Sequence, residues 1–320
     1  GGPMYYIARG LGWRPLAVLF AVFTIGASLI GIGNVVQSNS IASSMETSFG
    51  IPTWVSGLVL MVGTGLVLLG GIKSIGKVAG IIVPVMIVAY VGAAIVILVR
   101  NAEAVPGAFG LIFEDAFTPS APVGGFLGAT MAMAVREGFS KGLFSNESGL
   151  GSAPIAAAAA RTSHPCQQAL ISMTQTFIDT LIVCTLSGLV LIVSGCWSSG
   201  ERGAALTTLC FDGNLPGGRY IVSIGLLLFA WTTMLGWSYY GERALEFLAG
   251  NASSKPYRVL FVLLVGVGAV AKVDVVWLLG DICNAFIALP NLIGLLALSP
   301  VVAKLTKEYF AKLDHPTPEA

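Results

Sequence analysis

Long apolar runs recur along the whole chain, and they constrain its fold more than any other feature of the sequence. About 20 apolar residues in a helix are enough to cross the hydrocarbon core of a bilayer. Only 10% of the residues are charged and the mean hydropathy is +0.85, so most of the surface cannot face water. The sequence therefore predicts an all-α polytopic membrane protein, a single transmembrane domain over residues 1–320. Its eight predicted spans are 15–38, 54–71, 77–99, 121–140, 165–195, 219–247, 257–271 and 274–303.

The distribution of lysine and arginine predicts the orientation of these spans. With the N-terminal loop placed inside, thirteen basic residues fall on inside segments and four on outside segments. Cytoplasmic loops carry such an excess. The bias predicts a cytoplasmic C-terminus, with residues 304–320 as a cytoplasmic tail. The outside residues are Arg100, Arg202, Arg219 and Lys272, and the inside ones are Arg9, Arg14, Lys73, Lys77, Arg136, Lys141, Arg161, Arg243, Lys255, Arg258, Lys304, Lys307 and Lys312.

Three further features of the sequence concern its completeness, its partners and its cysteines. The chain starts at Gly1 without a methionine or a leading hydrophobic segment, which predicts a fragment whose N-terminal part is missing. The net charge of +1 argues against nucleic acid as a partner, because no basic surplus is available for phosphates. Cys196 and Cys210 flank one polar loop and would pair if that loop is extracellular, while free thiols remain the alternative.

Polar side chains at mid-depth in several spans are candidates for a binding site, because each costs free energy in lipid unless it is paired or hydrated. Asn34 and Gln37 are three residues apart and are expected on one helical face, either as a polar clamp between helices or as site lining. Asp179 has Thr180 beside it, and it is either a functional acid or a structural one paired with a neighbouring helix.

The fourth and sixth spans add two more candidates. Thr232 and Thr233 either bond the preceding turn or offer oxygens to a hard cation. The fourth span is rich in glycine and runs into the polar stretch "REGFSKGLFSNESGLGSAP" at 136–154. Glycine also serves close helix packing, but this pattern is typical of a discontinuous helix, whose free backbone groups hold ions and zwitterions.

Several segments resemble the alanine or glycine:cation symporter family. "GLFSNESGLGSAPIAAAAA" (142–160) is similar to the signature of that family, and matching segments follow its order. The resemblance implies a LeuT-type core of two inverted five-helix repeats, of which the eight spans would be core helices three to ten. It also implies sodium-coupled symport of alanine or glycine across the plasma membrane, by a protein that we expect to be monomeric. The other matching segments are "GGPMYYIARGLG" (1–12), "FIDTLIVCT" (177–185), "TTMLGWSYYGER" (232–243) and "ALPNLIGLL" (288–296).

The same resemblance, combined with position in the spans, implies a set of site residues. One sodium ion would be held by Thr232 and Thr233, and a second by Thr130, Asp179 and Thr180. The small pocket for the amino acid would be bordered by Asn34, Gln37, Gly128, Thr130, Met131 and Trp237.

Other function classes are less consistent with the residues present. Only His164 and His315 occur, both outside the spans, and no HExxH motif is found, so we expect no enzyme and no cofactor beyond the co-transported ion. A channel needs a continuous polar path, and nothing in the sequence repeats in a pore-like way. A proton-coupled transporter of the same fold remains an alternative.

Overall fold

Within residues 1–117, 131–201 and 203–314, which a computed structural model describes, every regular element is helical. This confirms the all-α prediction for that part of the chain. Short 3₁₀ turns occur at Ala102–Ala104, Cys196–Ser198 and Asn251–Ser253, and a π-helix at Phe177–Cys184. Helices α1 to α14 are Pro3–Gly10, Arg14–Ile30, Val35–Phe49, Thr53–Leu69, Gly71–Arg100, Val105–Phe117, Met131–Asn146, Ala153–Ala157, Pro165–Thr176, Thr185–Val193, Gly203–Asn214, Gly218–Ala249, Ser254–Ala269 and Val273–Asp314.

Five helical stretches in the described ranges are long and apolar enough to cross a membrane. Helix α4 is apolar but shorter, α13 has 16 residues, and the predicted span 121–140 lies partly outside the described residues. The molecule is thus a multi-pass membrane protein, while the count of eight spans stays a prediction. The five stretches are Arg14–Phe49, Gly71–Arg100, Pro165–Val193, Gly218–Ala249 and Asp274–Leu313.

The first span is broken, which differs from the continuous helix predicted for 15–38. Helix α2 ends at Ile30 and α3 begins at Val35. The break is closely packed, because a methyl carbon added at Gly33 would lie 2.6 Å from Cβ of Trp237 on α12. Asn34 precedes the first turn of α3 with non-helical backbone angles. The prediction that Asn34 and Gln37 share one helical face is therefore wrong.

The discontinuity expected near the fourth span lies in the polar motif. Helix α7 ends at Asn146 and α8 begins at Ala153. Between them Glu147 (φ 57°), Gly149 (φ 86°) and Gly151 (φ 90°) have left-handed backbones. A Cβ on Gly151 would lie within 3 Å of atoms on three side chains, so the loop is packed against the core as well as strained.

Asn291 of α14 fixes this loop in place. Its Nδ2 donates to the carbonyl of Gly149 at 2.8 Å, and its Oδ1 accepts from the hydroxyl of Tyr6 on α1. The amide is 1% exposed, so both bonds form away from solvent. One side chain thus joins the motif loop to the first and the last helix of the described chain.

Helix α12 lies at the centre of the bundle and packs against α2, α3 and α5. One apolar cluster surrounds Met234 and Leu235, with Phe261 and Val265 of α13. A second surrounds Trp237 and includes Phe20 of α2 and Leu150 of the motif loop. The functional segments of the sequence therefore meet around one helix.

Two smaller predictions concern the C-terminus and the cysteines. Helix α14 continues through Pro290 and Pro300 to Asp314, so the predicted tail 304–320 begins as a helix. Cys196 and Cys210 are both free thiols, and burial raises the pKa of the Cys210 thiol to about 12. The disulfide considered for this pair is absent from the structure.

The close approach at Gly33 gives a first prediction. Gly33→Ala should lower the free energy of unfolding by about 1–3 kcal/mol, because the new methyl group overlaps Trp237. The matched control is Gly26→Ala, where a Cβ would meet nothing within 4 Å. Thermal unfolding of the purified protein in detergent measures the difference. Equal midpoints for the two variants would show that the break does not depend on this contact.

Candidate functional site

A cavity of about 370 Å³ lies inside the bundle, within the size range of small-molecule sites. Its walls come from the first break and α3, from α5, α7 and the π-helix, and from α11 and α12. The described residues that line it are Ile32, Gln37, Tyr90, Phe144, Ser145, Glu147, Asp179, Val183, Cys184, Ala204, Thr207, Val222, Leu226, Phe229 and Thr233.

The charged groups on the described lining are two carboxylates, Glu147 and Asp179, and no basic side chain is among those residues. Neither acid forms an ion pair in the part of the chain that the structure describes. A negative charge that is partly removed from water and has no cationic partner is costly. The cavity is therefore electrostatically suited to cations.

Glu147 is the acid that the sequence interpretation missed. It follows α7 directly, in a left-handed conformation, and its carboxylate accepts hydrogen bonds from Ser152 Oγ and, at 2.8 Å, from Trp237 Nε1. Its position in the sequence could have identified it, because it is the one carboxylate within "FSNESGLGS" and acidic residues are few in this chain. An ionisable group in such surroundings is a functional candidate.

Asp179 lies on the π-helix opposite the end of α7. Its carboxylate accepts from Ser145 Oγ at 2.7 Å and from Thr180 Oγ1 at 3.2 Å, and Asn146 Nδ2 donates to Thr180 Oγ1 at 3.0 Å. Single π-helical segments often occur at functional sites. The structure thus brings the predicted pair Asp179 and Thr180 together with the polar end of α7.

The two threonines of α12 differ in what they face. The hydroxyl of Thr233 donates to the carbonyl of Phe229 at 2.9 Å, and that of Thr232 donates to the same carbonyl at 2.9 Å. Thr233 is among the residues that line the cavity, and Thr232 is not. Because the hydroxyl proton is used within the helix, the oxygen of Thr233 keeps its lone pairs for a cation.

The predicted substrate residues are divided between the cavity wall and the layer behind it. Gln37 lines the cavity, and its Nε2 donates to the carbonyl of Ile32 at 3.0 Å. Asn34 is fully buried and donates to the carbonyl of Phe261 on α13 at 2.9 Å, so it acts as a clamp between helices. Trp237 is 1% exposed and supports the wall through Glu147.

The remaining predicted residues fall in or beside a gap in the description. Gly128 and Thr130 lie outside the described residues. Met131 begins α7, and its side chain lies outside the description as well.

Five membrane-length helical stretches, and two helix breaks beside a cavity within the bundle, are typical of a membrane transporter. The comparison with known families agrees with this class. The chain belongs to the sodium:alanine symporter family, which it matches over residues 1–319. Members of this family are transporters and not enzymes, and they carry sodium with their substrate.

Curated relatives cover nearly all of the chain. It is 49% identical over 317 residues to the sodium/alanine symporter AgcS of Methanococcus maripaludis, which covers 97% of this chain and 69% of AgcS. An uncharacterised transporter of Haemophilus influenzae is 48% identical over 316 residues, 98% of this chain and 69% of that protein. A probable sodium/glutamine symporter of Bacillus subtilis, GlnT, is 38% identical over 314 residues, 97% of this chain and 64% of GlnT.

The bond between Trp237 and Glu147 gives a second prediction. Trp237→Phe removes a donor to a buried carboxylate and should cost about 1.5–3 kcal/mol of unfolding free energy, beyond the loss of indole area. Trp231→Phe on the same helix is the matched control, since its Nε1 donates to the neutral Thr64 hydroxyl at 3.1 Å. Its cost should be smaller. A loss of thermal stability for Trp231→Phe as large as for Trp237→Phe would contradict the role of Glu147.

Proposed function

We propose that the protein carries a small neutral amino acid, alanine or glycine, across the plasma membrane together with sodium, by alternating access on a LeuT-type core. The observation that supports this most strongly is the cavity whose described charged groups are Glu147 and Asp179. Two carboxylates suit a site that takes up a metal cation and the ammonium group of a zwitterion together. Membership of the sodium:alanine symporter family and the name of AgcS point to the same pair of solutes.

Sodium prefers several oxygen ligands, because it gives up its hydration only for comparable partners. We propose Thr233 as an ion ligand, with Thr232 as the second candidate on the same turn. Asp179 and Thr180, held against Ser145 and Asn146, are proposed for a second ion together with Thr130. In such a site the negative charge of Asp179 would offset the charge of the bound ion.

The amino acid itself is proposed to lie beside Gln37, and Gly128, Thr130 and Met131 stay candidates for the same pocket. Asn34 and Trp237 would act from behind the wall, since neither lines the cavity. Phe144 and Phe229 do line it and would limit the size of the substrate side chain. One methylene of fit changes discrimination by only about 1–3 kcal/mol, so the preference for small amino acids should be graded.

Proton coupling is the second candidate. It is favoured by one observation: among the described residues, the carboxylate of Glu147 accepts hydrogen bonds from the neutral groups Ser152 and Trp237 and from no cation. A proton would neutralise such an acid as well as a sodium ion would.

Uptake of labelled alanine into proteoliposomes tests the proposal and separates it from this alternative. A sodium gradient at constant pH should drive uptake, and a pH gradient without sodium should not. Uptake driven by the pH gradient alone would establish the proton-coupled transporter. Passive equilibration without coupling would indicate a channel.

A third prediction concerns Thr233. Thr233→Ala should raise the sodium concentration for half-maximal uptake, whereas Thr233→Ser, which keeps the hydroxyl, should remain close to the parent protein. Alanine affinity should fall by the same factor as sodium affinity, because coupling between two sites is reciprocal. Thr232→Ala serves as the comparison on the same turn and should have the smaller effect. An unchanged sodium dependence in both alanine variants would remove the ion site from α12.

The fourth prediction concerns the charge of Glu147. Glu147→Gln keeps an acceptor for Trp237 but removes the charge, so the protein should fold while its apparent sodium affinity falls by about 5-fold to 150-fold. The exposed acid Glu103 lies away from the cavity, and Glu103→Gln is the control. Sodium-dependent uptake by Glu147→Gln that equals the control would show that this carboxylate serves only the structure.

A further inference from the structure

A second cavity, of about 330 Å³, lies at the end of the bundle where α4 turns into α5. It is separate from the central cavity and shares none of its lining residues. Its polar lining contains three cationic side chains and one carboxylate, contributed by the α4–α5 turn and by α12 and α13. These residues are Lys73, Glu242, Arg243 and Arg258.

Ion pairs within the protein neutralise most, but not all, of the positive charge at this cavity. Arg258 binds Glu242 through Nε at 2.7 Å and Nη2 at 2.8 Å, and Arg243 binds Glu242 at 2.8 Å and Glu246 at 2.6 Å. Three cations, counting Lys73, against two carboxylates leave a formal charge of +1.

Two donors at this cavity have no partner among the described residues. The Nε atom of Arg243 is buried without a hydrogen bond, and Lys73 takes part in no ion pair in the described ranges. The cavity also borders the first turn of α5. The N-cap residue there is Gly70, so no side chain caps the first amides of the helix. Backbone amides at such a terminus favour an anion, in agreement with the free side-chain donors.

An apolar groove of about 480 Å³ adjoins the cationic cavity on the outer surface of the bundle. It runs between α4 and α13 and shares Leu68 and Arg258 with the cavity. Its walls expose large apolar side chains, with Leu66 at 66% and Val259 at 61% exposure. A groove that is apolar along its length and cationic at one end has the polarity of a phospholipid.

We propose that the cavity and the groove together form a binding site for an anionic phospholipid. The phosphate would bind at Lys73 and Nε of Arg243, and one acyl chain would lie in the groove beside Gly65 and Leu66. A single negative charge matches the formal charge of +1 left by the ion pairs. Basic pockets between helices at a membrane surface bind anionic head groups in this manner. The lipid would connect the α4–α5 turn to α12, and α12 also contributes residues to the lining of the central cavity.

Lipid binding to the purified chain, measured by native mass spectrometry in detergent, tests the proposal. Phosphatidylglycerol should bind more tightly than phosphatidylcholine. Lys73→Gln should weaken phosphatidylglycerol binding by about fivefold, and Lys77→Gln, one turn further along α5 and outside the cavity, should not. Arg243 and Arg258 are left intact, because their loss would strand the buried carboxylate of Glu242.

The groove has its own matched pair of variants. Gly65→Leu should fill the groove, since a Cβ there would lie 3.9 Å from Val262, and it should weaken lipid binding. Gly92→Leu on α5, where a Cβ would meet nothing within 4 Å, should leave binding unchanged. Equal binding of the two lipids, or no effect of Lys73→Gln, would overturn the proposal. Displacement of the lipid by an equal concentration of glycerol phosphate would overturn it too, in favour of a site for free phosphate.

Discussion

The indole of Trp237 holds together the two interruptions on which the rest of the structure depends. Its ring packs against the backbone of Gly33 in the first break, and its N–H donates to Glu147 in the second. Non-helical backbone is tolerated at membrane depth only where protein or a hydrated cavity satisfies its polar groups. Backbone carbonyls of the two breaks accept hydrogen bonds from Gln37 and Asn291, and one side chain of α12 contacts both breaks. The two walls of the central cavity are therefore fixed relative to each other by a residue behind the cavity.

The central cavity contains two carboxylates that accept hydrogen bonds from uncharged groups. Glu147 and Asp179 are each held by neutral donors, from Ser152 and Trp237 in one case and from Ser145 and Thr180 in the other. These bonds orient the carboxylates without neutralising them, so the charge stays available to a solute. The basic end of the bundle is organised in the opposite way, because there Glu242 is matched by Arg258 and Arg243. In the described ranges, the acid at the basic end is therefore held by ion pairs, and the two acids of the central cavity are held by neutral groups.

The sequence predicted correctly those features that depend on the type of a single residue or on the apolar length of a segment. Apolar length predicted the membrane helices, and the rarity of polar groups in lipid singled out Gln37, Asp179 and Thr233, all of which line the cavity. Their roles as ligands stay predictions. The interpretation was wrong where the answer depends on a distant contact. The break at Gly33 packs against Trp237, some two hundred positions away, and Asn34 beside it donates to α13. Glu147 was missed because the stretch around it was interpreted through its backbone, as a discontinuous helix, and the contact of its carboxylate with Trp237 on α12 cannot be seen in the sequence.

The amide of Asn291 has a consequence for the order in which the molecule can be assembled. It joins the motif loop to Tyr6, a residue 285 positions earlier in the chain. Helix α14 follows the motif loop in the chain by more than a hundred positions, so the loop can form this contact only after α14 has been made. Contacts of such sequence separation form late, because the chain entropy between them is lost before any bond is gained. The cavity wall that contains Glu147 is therefore completed only after α14 has been made, although its own residues come much earlier in the chain.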